Sequence, residues 1–356
     1  MKRILTVVGA RPQFIKAAAI SHVIRDKYSD SICEDILHTG QHYDDSMSGQ
    51  FFEELDIPQP KYNLGVGSAS HGKQTALMLR GIEEILLKEQ YDGVLVYGDT
   101  NSTLAGALAA AKLHIPVYHV EAGLRSFNRD MPEEINRVVT DHVATLLFAP
   151  TQTAVQNLRN EGFKENQIIF SGDVMLDNVR HYTTQASLRA PLPTPYILVT
   201  IHRDFNTDNK DRLNIILSAL NNVCKEFGTD ILFPIHPRTK QRIDSMINTA
   251  LSRRIHVIEP LSYLGTLGAL RGAQLVLTDS GGLQKEAYFS GKPTVVLRPE
   301  TEWVEILSAG AAMLADGKDG DIIEATQRMW NVKPSAPVEF GDGYAAEKII
   351  ESIFRG

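Results

Sequence analysis

The sequence predicts an α/β protein made of two doubly wound parallel-sheet domains with a central cleft. Short apolar runs rich in β-branched residues alternate with helical stretches along the whole chain, the signature of βαβ units. The chain has 356 residues, and a domain commonly holds roughly 100–200 residues. The Pro-rich stretch Arg189-Ala-Pro-Leu-Pro-Thr-Pro195 interrupts the alternation near its middle, since proline breaks regular structure. The expected division is an N-terminal α/β domain over 1–180 and a C-terminal α/β domain over 190–340. The final segment, 345–356, is expected to cross back onto the first domain.

In the first half, strands are expected over 4–8, 35–38, 94–97, 117–120 and 147–149. Helices are expected over 13–25, 47–55, 71–88, 102–113 and 133–146. Within the last of these, Ile135, Val138, Val139, His142, Val143 and Leu146 fall at i, i+3, i+4, i+7, i+8 and i+11. That spacing predicts one apolar, core-facing stripe, with Glu134, Arg137 and Asp141 on another face. In the second half, strands are expected over 196–201, 231–235, 256–258, 275–278 and 294–297, and a last helix over 345–354. Ligands of doubly wound sheets bind at the carboxyl ends of the strands.

Composition narrows the function. Hydrophobic residues make up 43% and charged residues 22%, as in an ordinary soluble globular protein. The net charge of −7 argues against a nucleic-acid partner, which needs a basic surface. Two distant cysteines, Cys33 and Cys224, argue against a disulfide framework and a cysteine zinc site. The apolar run at the N-terminus is too short for a secretion signal, and no run approaches the ~20 residues of a membrane span. The expected location is the cytoplasm, with no membrane partner. No HExxH, P-loop lysine or GxSxG motif occurs, and neither a metal nor another cofactor is expected.

Several groups follow expected strands. Thr278-Asp279-Ser280-Gly281-Gly282-Leu283-Gln284-Lys285-Glu286 passes from a strand into a helix. Such a turn presents free N–H groups at the positive end of a helix, which suits a diphosphate. Glu286, one turn further on, is placed to accept from ribose hydroxyls. The plain alternative is a turn with Ser280 as N-cap. After the first strand, Arg11 and Lys16 bring two cations to its carboxyl end, with Pro12 as a first-turn proline; the alternative is ordinary surface charge. Asp99, Glu121 and Glu133 follow strands or begin helices. Singly, Asp99 can be an N-cap, Glu133 can complete a capping box with Asp130, and Glu121 can pair with Arg125. Together in one cleft, three carboxylates suit proton transfer. His202 and His236, each at the end of an expected strand, are candidates for substrate or phosphate contacts.

The ordered set Gly9-Ala-Arg-Pro12…Lys16, Gly40-Gln-His42, Gly98-Asp-Thr100, Val120-Glu-Ala-Gly-Leu-Arg125, Pro132-Glu-Glu-Ile-Asn-Arg137, His202-Arg203, His236-Pro237 and Asp279-Ser-Gly-Gly-Leu-Gln284 resembles the non-hydrolysing UDP-N-acetylglucosamine 2-epimerases over nearly the whole chain. The resemblance implies a glycosyltransferase-B-like fold and interconversion of UDP-GlcNAc and UDP-ManNAc. Anti elimination of UDP would give a 2-acetamidoglucal, to which UDP adds back. It matches Asp99, Glu121 and Glu133 to the acid–base carboxylates and His202 to the catalytic histidine. Arg11, Ser280, Gly281, Gly282 and Glu286 match UDP contacts, and Lys16, Arg137 and His236 join them as expected substrate or UDP ligands. A cytoplasmic homodimer serving cell-surface polysaccharide synthesis is also implied.

The chain departs from the commonest pattern at Pro12-Gln13, Asp204-Phe205-Asn206, Gln284-Lys285-Glu286 and Thr301-Glu302-Trp303-Val304-Glu305. These departures resemble a branch that includes epimerases of UDP-2,3-diacetamido-2,3-dideoxyglucuronate, used in O-antigen and capsule synthesis. Lys285 suits a uronate or is a solvated charge. An allosteric UDP-GlcNAc site is in question, since the 71–74 region does not match. Two other classes compete: a glycosyltransferase of the same fold, and a nucleotide-sugar binding or regulatory protein without catalysis.

Overall fold

The computed structural model describes residues 1–41, 52–183, 192–235, 239–240, 243, 251–316 and 318–355. The chain packs into two compact units, Met1–Asn178 with Val338–Gly356, and Val179–Pro337.

Unit 1 holds seven strands: β1 Lys2–Val8, β2 Ile32–His38, β3 Tyr62–Asn63, β4 Gly93–Tyr97, β5 Val117–Val120, β6 Leu146–Ala149 and β7 Ile168–Phe170. They form one all-parallel sheet in the order β3-β2-β1-β4-β5-β6-β7. Ile4 to Val8 and all of β4 are buried, as expected of central strands covered on both faces. The helices are α1 Arg11–Lys27, α2 His71–Lys88, α3 Asn101–Lys112, α4 Pro132–Val143, α5 Gln152–Asn160 and α6 Val174–Thr183, of which Val174–Asn178 lie in unit 1. Leu5, Val7, Val94 and Val96 of the sheet pack with Met78, Ile82 and Leu86 of α2 and Ala105 and Ala109 of α3.

Unit 2 holds β8 Tyr196–Thr200, β9 Asp230–Pro234, β10 Ile255–Ile258, β11 Ala273–Thr278, β12 Thr294–Val296 and β13 Ala312–Leu314, all parallel, in the order β10-β9-β8-β11-β12-β13. Its helices are α7 Asp204–Thr207, α8 Lys210–Phe227, α9 Tyr263–Gly272, α10 Gly281–Phe289, α11 Val304–Ser308 and α12 Asp319–Met329. Ile197, Val199, Leu217, Leu220, Ile231, Phe233, Leu275 and Leu277 form its core.

A last helix, α13 (Ala345–Arg355), buries Ala345, Ala346, Ile349, Ile350 and Ile353, the one-sided spacing of an amphipathic helix. It packs against α1 within unit 1. Its first N–H groups, those of Ala345 and Ala346, donate to the Asp177 carboxylate at 3.1 and 2.8 Å.

The expected strands and most expected helices are present, with ends shifted by a few residues. Strands β3, β7 and β13 and helices α5, α6, α7, α8, α9, α11 and α12 are additional. Of the expected helix over 47–55, only 52–54 are described and helical. The stripe on α4 needs correction. Ile135 is 51% exposed and Val138 and Val139 are only half-buried, whereas Glu134, Asn136, Arg137, Thr140 and Asp141 are buried. The polar face turns inward because its groups hold the neighbouring turns, and a buried polar group is retained when it is hydrogen-bonded.

Candidate active site

In each sheet the strand order reverses beside the first strand, between β1 and β4 in unit 1 and between β8 and β11 in unit 2. Such switch points are where doubly wound sheets bind ligands. Arg11 and Lys16 follow β1, Asp99 follows β4, and Glu121 follows β5. In unit 2, His202 follows β8 and Asp279–Gly282 follows β11.

In unit 1, the Lys16 ammonium lies 2.7 Å from Glu121 Oε1, both side chains nearly buried. Arg137 pairs with Asp99 and, at 2.9 Å, with Glu134. The backbone supports these pairs. Gly98 stands at φ 64° and Glu121 at φ 70°, a region that favours glycine and that a glutamate enters only at a cost. The Gly98 N–H donates to the Val120 carbonyl at 3.0 Å. Asn136 Nδ2 donates to the Asp99 carbonyl at 2.9 Å.

The simple structural roles fail for all three carboxylates. Thr100, not Asp99, caps α3, accepting from Thr103 N–H. Met131 is the N-cap residue of α4 and makes no side-chain cap bond, so no capping box joins Asp130 and Glu133. Arg125 pairs with Asp141 and Glu161 rather than Glu121. Glu133 is exposed on the first turn of α4. Its neighbour Glu134 is buried and accepts from the N–H groups of Ser126 and Phe127, both at 2.9 Å. Burial pushes the Glu134 carboxyl up, but those donors and Arg137 hold it below its ordinary value. Arg11 is the exposed first residue of α1.

In unit 2, Ser280 caps α10, its hydroxyl accepting from Leu283 N–H at 3.3 Å. Gly281 and Gly282 open that helix and Glu286 lies buried along it. The backbone can approach closely at Gly281, because an added Cβ would lie 2.3 Å from Glu302 Oε1. His202 is half-exposed, with Nδ1 2.9 Å from the fully buried Asp279. Asp279 also accepts from the N–H of Arg203 at 3.0 Å and from Asn206 Nδ2 at 2.9 Å. Burial raises the Asp279 carboxyl, yet His202 and these donors bring it below its ordinary value. An ionised carboxylate there orients the imidazole and leaves its other nitrogen available. Lys285 is no solvated charge. It is buried, with its ammonium 4.2 Å from the Trp303 ring centroid, a cation–π contact. His236 lies outside the described residues.

Three contributors are absent from the expected site. Gln13, at the third position of α1, accepts from Gly9 and Ala10 N–H at 2.8 and 3.1 Å and donates to the Tyr97 carbonyl at 2.9 Å. It thereby ties the turn after β1 to the end of β4, and its place just after a first-turn proline is the sequence signal. His119 and Asp141 are fully buried and paired at 2.7 Å. The signal for His119 is a polar residue inside an otherwise apolar strand, since such residues are rarely buried unpaired; Asp141, on α4, carries none.

At the level of fold the chain is a glycosyltransferase-B-like α/β protein. The glycosyltransferase SnogD from Streptomyces nogalater, 12% identical, matches 99% of this chain and 95% of its own with a TM-score of 0.57, which is a likeness of fold alone. Closer likenesses carry more. A UDP-N-acetylglucosamine 2-epimerase family model matches residues 26–354. The UDP-2,3-diacetamido-2,3-dideoxy-D-glucuronate 2-epimerase of Pseudomonas aeruginosa is 46% identical over 99% of both chains. The UDP-N-acetylglucosamine 2-epimerase of Methanocaldococcus jannaschii is 43% identical over 98% of both. A crystal structure of the M. jannaschii enzyme in complex with UDP-GlcNAc and UDP aligns over all of both chains at 42% identity with a TM-score of 0.88. The chain belongs to the UDP-N-acetylglucosamine 2-epimerase family, whose members are isomerases.

Proposed function

We propose that this protein interconverts UDP-GlcNAc and UDP-ManNAc by inverting carbon 2 of the sugar. The observation that carries the reading is the set of carboxylates at the ends of neighbouring strands: Asp99 beside Arg137 after β4, and Glu121 beside Lys16 after β5. Glu133 completes the acid–base set from the first turn of α4.

The C2–H bond is a weak acid, so its loss must be coupled to departure of a good leaving group. A carboxylate takes the C2 proton. The electrons of that bond form the C1=C2 double bond, and the C1–O bond breaks with its pair going to UDP. The 2-acetamidoglucal then receives a proton from a carboxylic acid on the opposite face while a UDP oxygen adds to C1. General acid–base groups of this kind contribute about 10²–10⁴-fold each. In unit 2, Ser280, Gly281 and Gly282 at the N-terminus of α10 suit the diphosphate, whose charge grows as C1–O breaks. Glu286 suits the ribose hydroxyls, and Arg11, Lys16, Arg137 and His236 are further substrate or UDP ligands. His202, oriented by Asp279, is the fourth catalytic group.

A second reading replaces the neutral sugar by UDP-2,3-diacetamido-2,3-dideoxyglucuronate. It is favoured by the 46% identity to the P. aeruginosa enzyme of that name. Either reaction serves cell-surface polysaccharide synthesis in the cytoplasm, and a homodimer is the proposed assembly.

Incubation in D2O with each UDP-sugar separately, followed by proton NMR, tests the proposal. Deuterium should enter C2 of the recovered substrate and its epimer with little net release of UDP. Full retention of the C2 proton with both sugars ends the epimerase reading. UDP release that requires an added acceptor would instead mark a glycosyltransferase.

A further inference from the structure

Directly behind the candidate carboxylates lies a chain of ionisable groups, buried at His119 and Asp141, that the proposed chemistry does not use. His119, on β5 and fully buried, has Nε2 2.8 Å from the Gly98 carbonyl oxygen and Nδ1 2.7 Å from Asp141 Oδ1. The other oxygen of Asp141 accepts from Gly123 N–H at 3.1 Å and from Arg125 at 2.8 Å. Arg125 continues to Glu161 through two contacts of 2.6 Å.

The ring lies between two acceptors. A carbonyl oxygen only accepts, and Asp141 takes Gly123 N–H and Arg125 on its other oxygen, so each ring nitrogen is held against one wall of the site. The two backbone groups so held flank the candidate carboxylates, Gly98 immediately before Asp99 and Gly123 two residues after Glu121. Both turns stand in left-handed conformations, with φ 64° at Gly98, 70° at Glu121 and 80° at Gly123, and such conformations persist where surrounding contacts over-determine them.

We infer that His119 is the positioning residue of the carboxylate site: its ring clamps the Gly98–Asp99 turn through Nε2 and, through Nδ1 and Asp141, the Glu121–Gly123 turn. It touches no substrate and acts through Asp99 and Glu121. The kinetic part of this inference rests on the epimerase reading; the structural part does not.

The experiment compares two variants with wild type. His119→Asn keeps a donor toward Asp141 and falls short of Gly98. His119→Gln places an amide donor near the Nε2 position, keeps the Gly98 contact and gives up Asp141. Misplacing a reacting group by about 1 Å costs up to ~100-fold, so each variant, having released one turn, should lose ~10- to 100-fold in kcat with KM near wild type. Wild-type kcat in either variant, or a loss confined to KM, overturns the inference. Amide hydrogen exchange without substrate should show loss of protection at Gly98 in H119N and at Gly123 in H119Q. Unchanged protection at both overturns the inference whether or not the protein is an epimerase. If wild-type protein exchanges no C2 proton with either sugar, the epimerase reading fails, and amide exchange alone decides the role of His119.

Discussion

The Lys16 ammonium is held 2.7 Å from Glu121 Oε1, and the backbone of that glutamate is left-handed at φ 70°. One residue therefore combines a nearly buried ion pair with a conformation costing an L-residue about 1–2 kcal/mol. Glu121→Ala and Glu121→Gly both strand Lys16, so their difference isolates the backbone. At an ordinary φ, glycine would be the less stable variant. Here the glycine variant should be more stable by about 1 kcal/mol in urea denaturation. Equal stability, or a less stable glycine variant, would remove the strain argument. Both should lose at least ~100-fold in turnover if Glu121 moves a proton.

Asp177 caps the last helix and is raised from 3.8 to about 6, chiefly by burial, against the opposing pull of the Ala346 and Ala345 N–H groups. Its folded value lies above its unfolded one, so the protonated form favours the folded state. Stability from this group is fully present below 3.8, is lost as pH rises to about 6, and is flat above. Each tenfold in proton affinity is worth about 1.4 kcal/mol, which makes the span on the order of 3 kcal/mol. Asp141 and Asp279 are depressed instead, so their contributions are lost only below the ordinary carboxylate range. Asp177→Asn should flatten the slope between pH 4 and 6 and leave the acid limb intact; an unchanged slope in that variant would rule Asp177 out as its source.

Gly281 and Gly282 are adjacent and both belong to the proposed diphosphate turn, yet they differ in space. A Cβ on Gly281 would meet Glu302 Oε1 at 2.3 Å, and Glu302 is itself held by Arg298 at 2.9 Å. A Cβ on Gly282 meets nothing closer than Ser280 Oγ at 3.9 Å. Gly281→Ala should therefore destabilise by ~1–3 kcal/mol. Gly282→Ala should be neutral or slightly stabilising, by up to ~0.5 kcal/mol. Gly281→Ala should melt below wild type and Gly282→Ala at or slightly above it, and calorimetric UDP affinity should fall more for Gly281→Ala.

The sheets were legible in the sequence because buried parallel strands are continuous apolar runs, and 94–97 and 117–120 need no context. The same runs locate Asp99 and Glu121, since each carboxylate follows a strand directly. Short edge elements such as Tyr62–Asn63 and Ala312–Leu314 carry too few residues for any period to show. The α4 stripe misled for a different reason. Hydrophobic periodicity assumes that the apolar face is the buried one, and here Glu134, Arg137 and Asp141 are needed inside to hold three turns. Pairings such as His119 with Asp141, 22 residues apart, leave no local trace, because the sheet register and the helix angle bring them together.

Glu133 and Glu134 place two consecutive carboxylates in opposite environments on the first turn of α4. Glu133 is exposed; Glu134 is buried and receives Ser126 N–H, Phe127 N–H and Arg137. An amide at 134 presents one acceptor oxygen and a misplaced donor, and leaves Arg137 without one of its two anionic partners. Glu134→Gln should therefore cost ~1–3 kcal/mol in stability. It should also lower turnover indirectly, because Arg137 carries the contact to Asp99. Glu133→Gln changes a solvated group and should stay within about 0.5 kcal/mol of wild type. If Glu133 moves a proton, the same variant loses ~100-fold or more in turnover with an unaltered melt. Measuring melts and C2 deuterium incorporation on both variants separates the two effects. A destabilised Glu133→Gln that retained full exchange would reverse the assignment, making Glu133 the structural carboxylate.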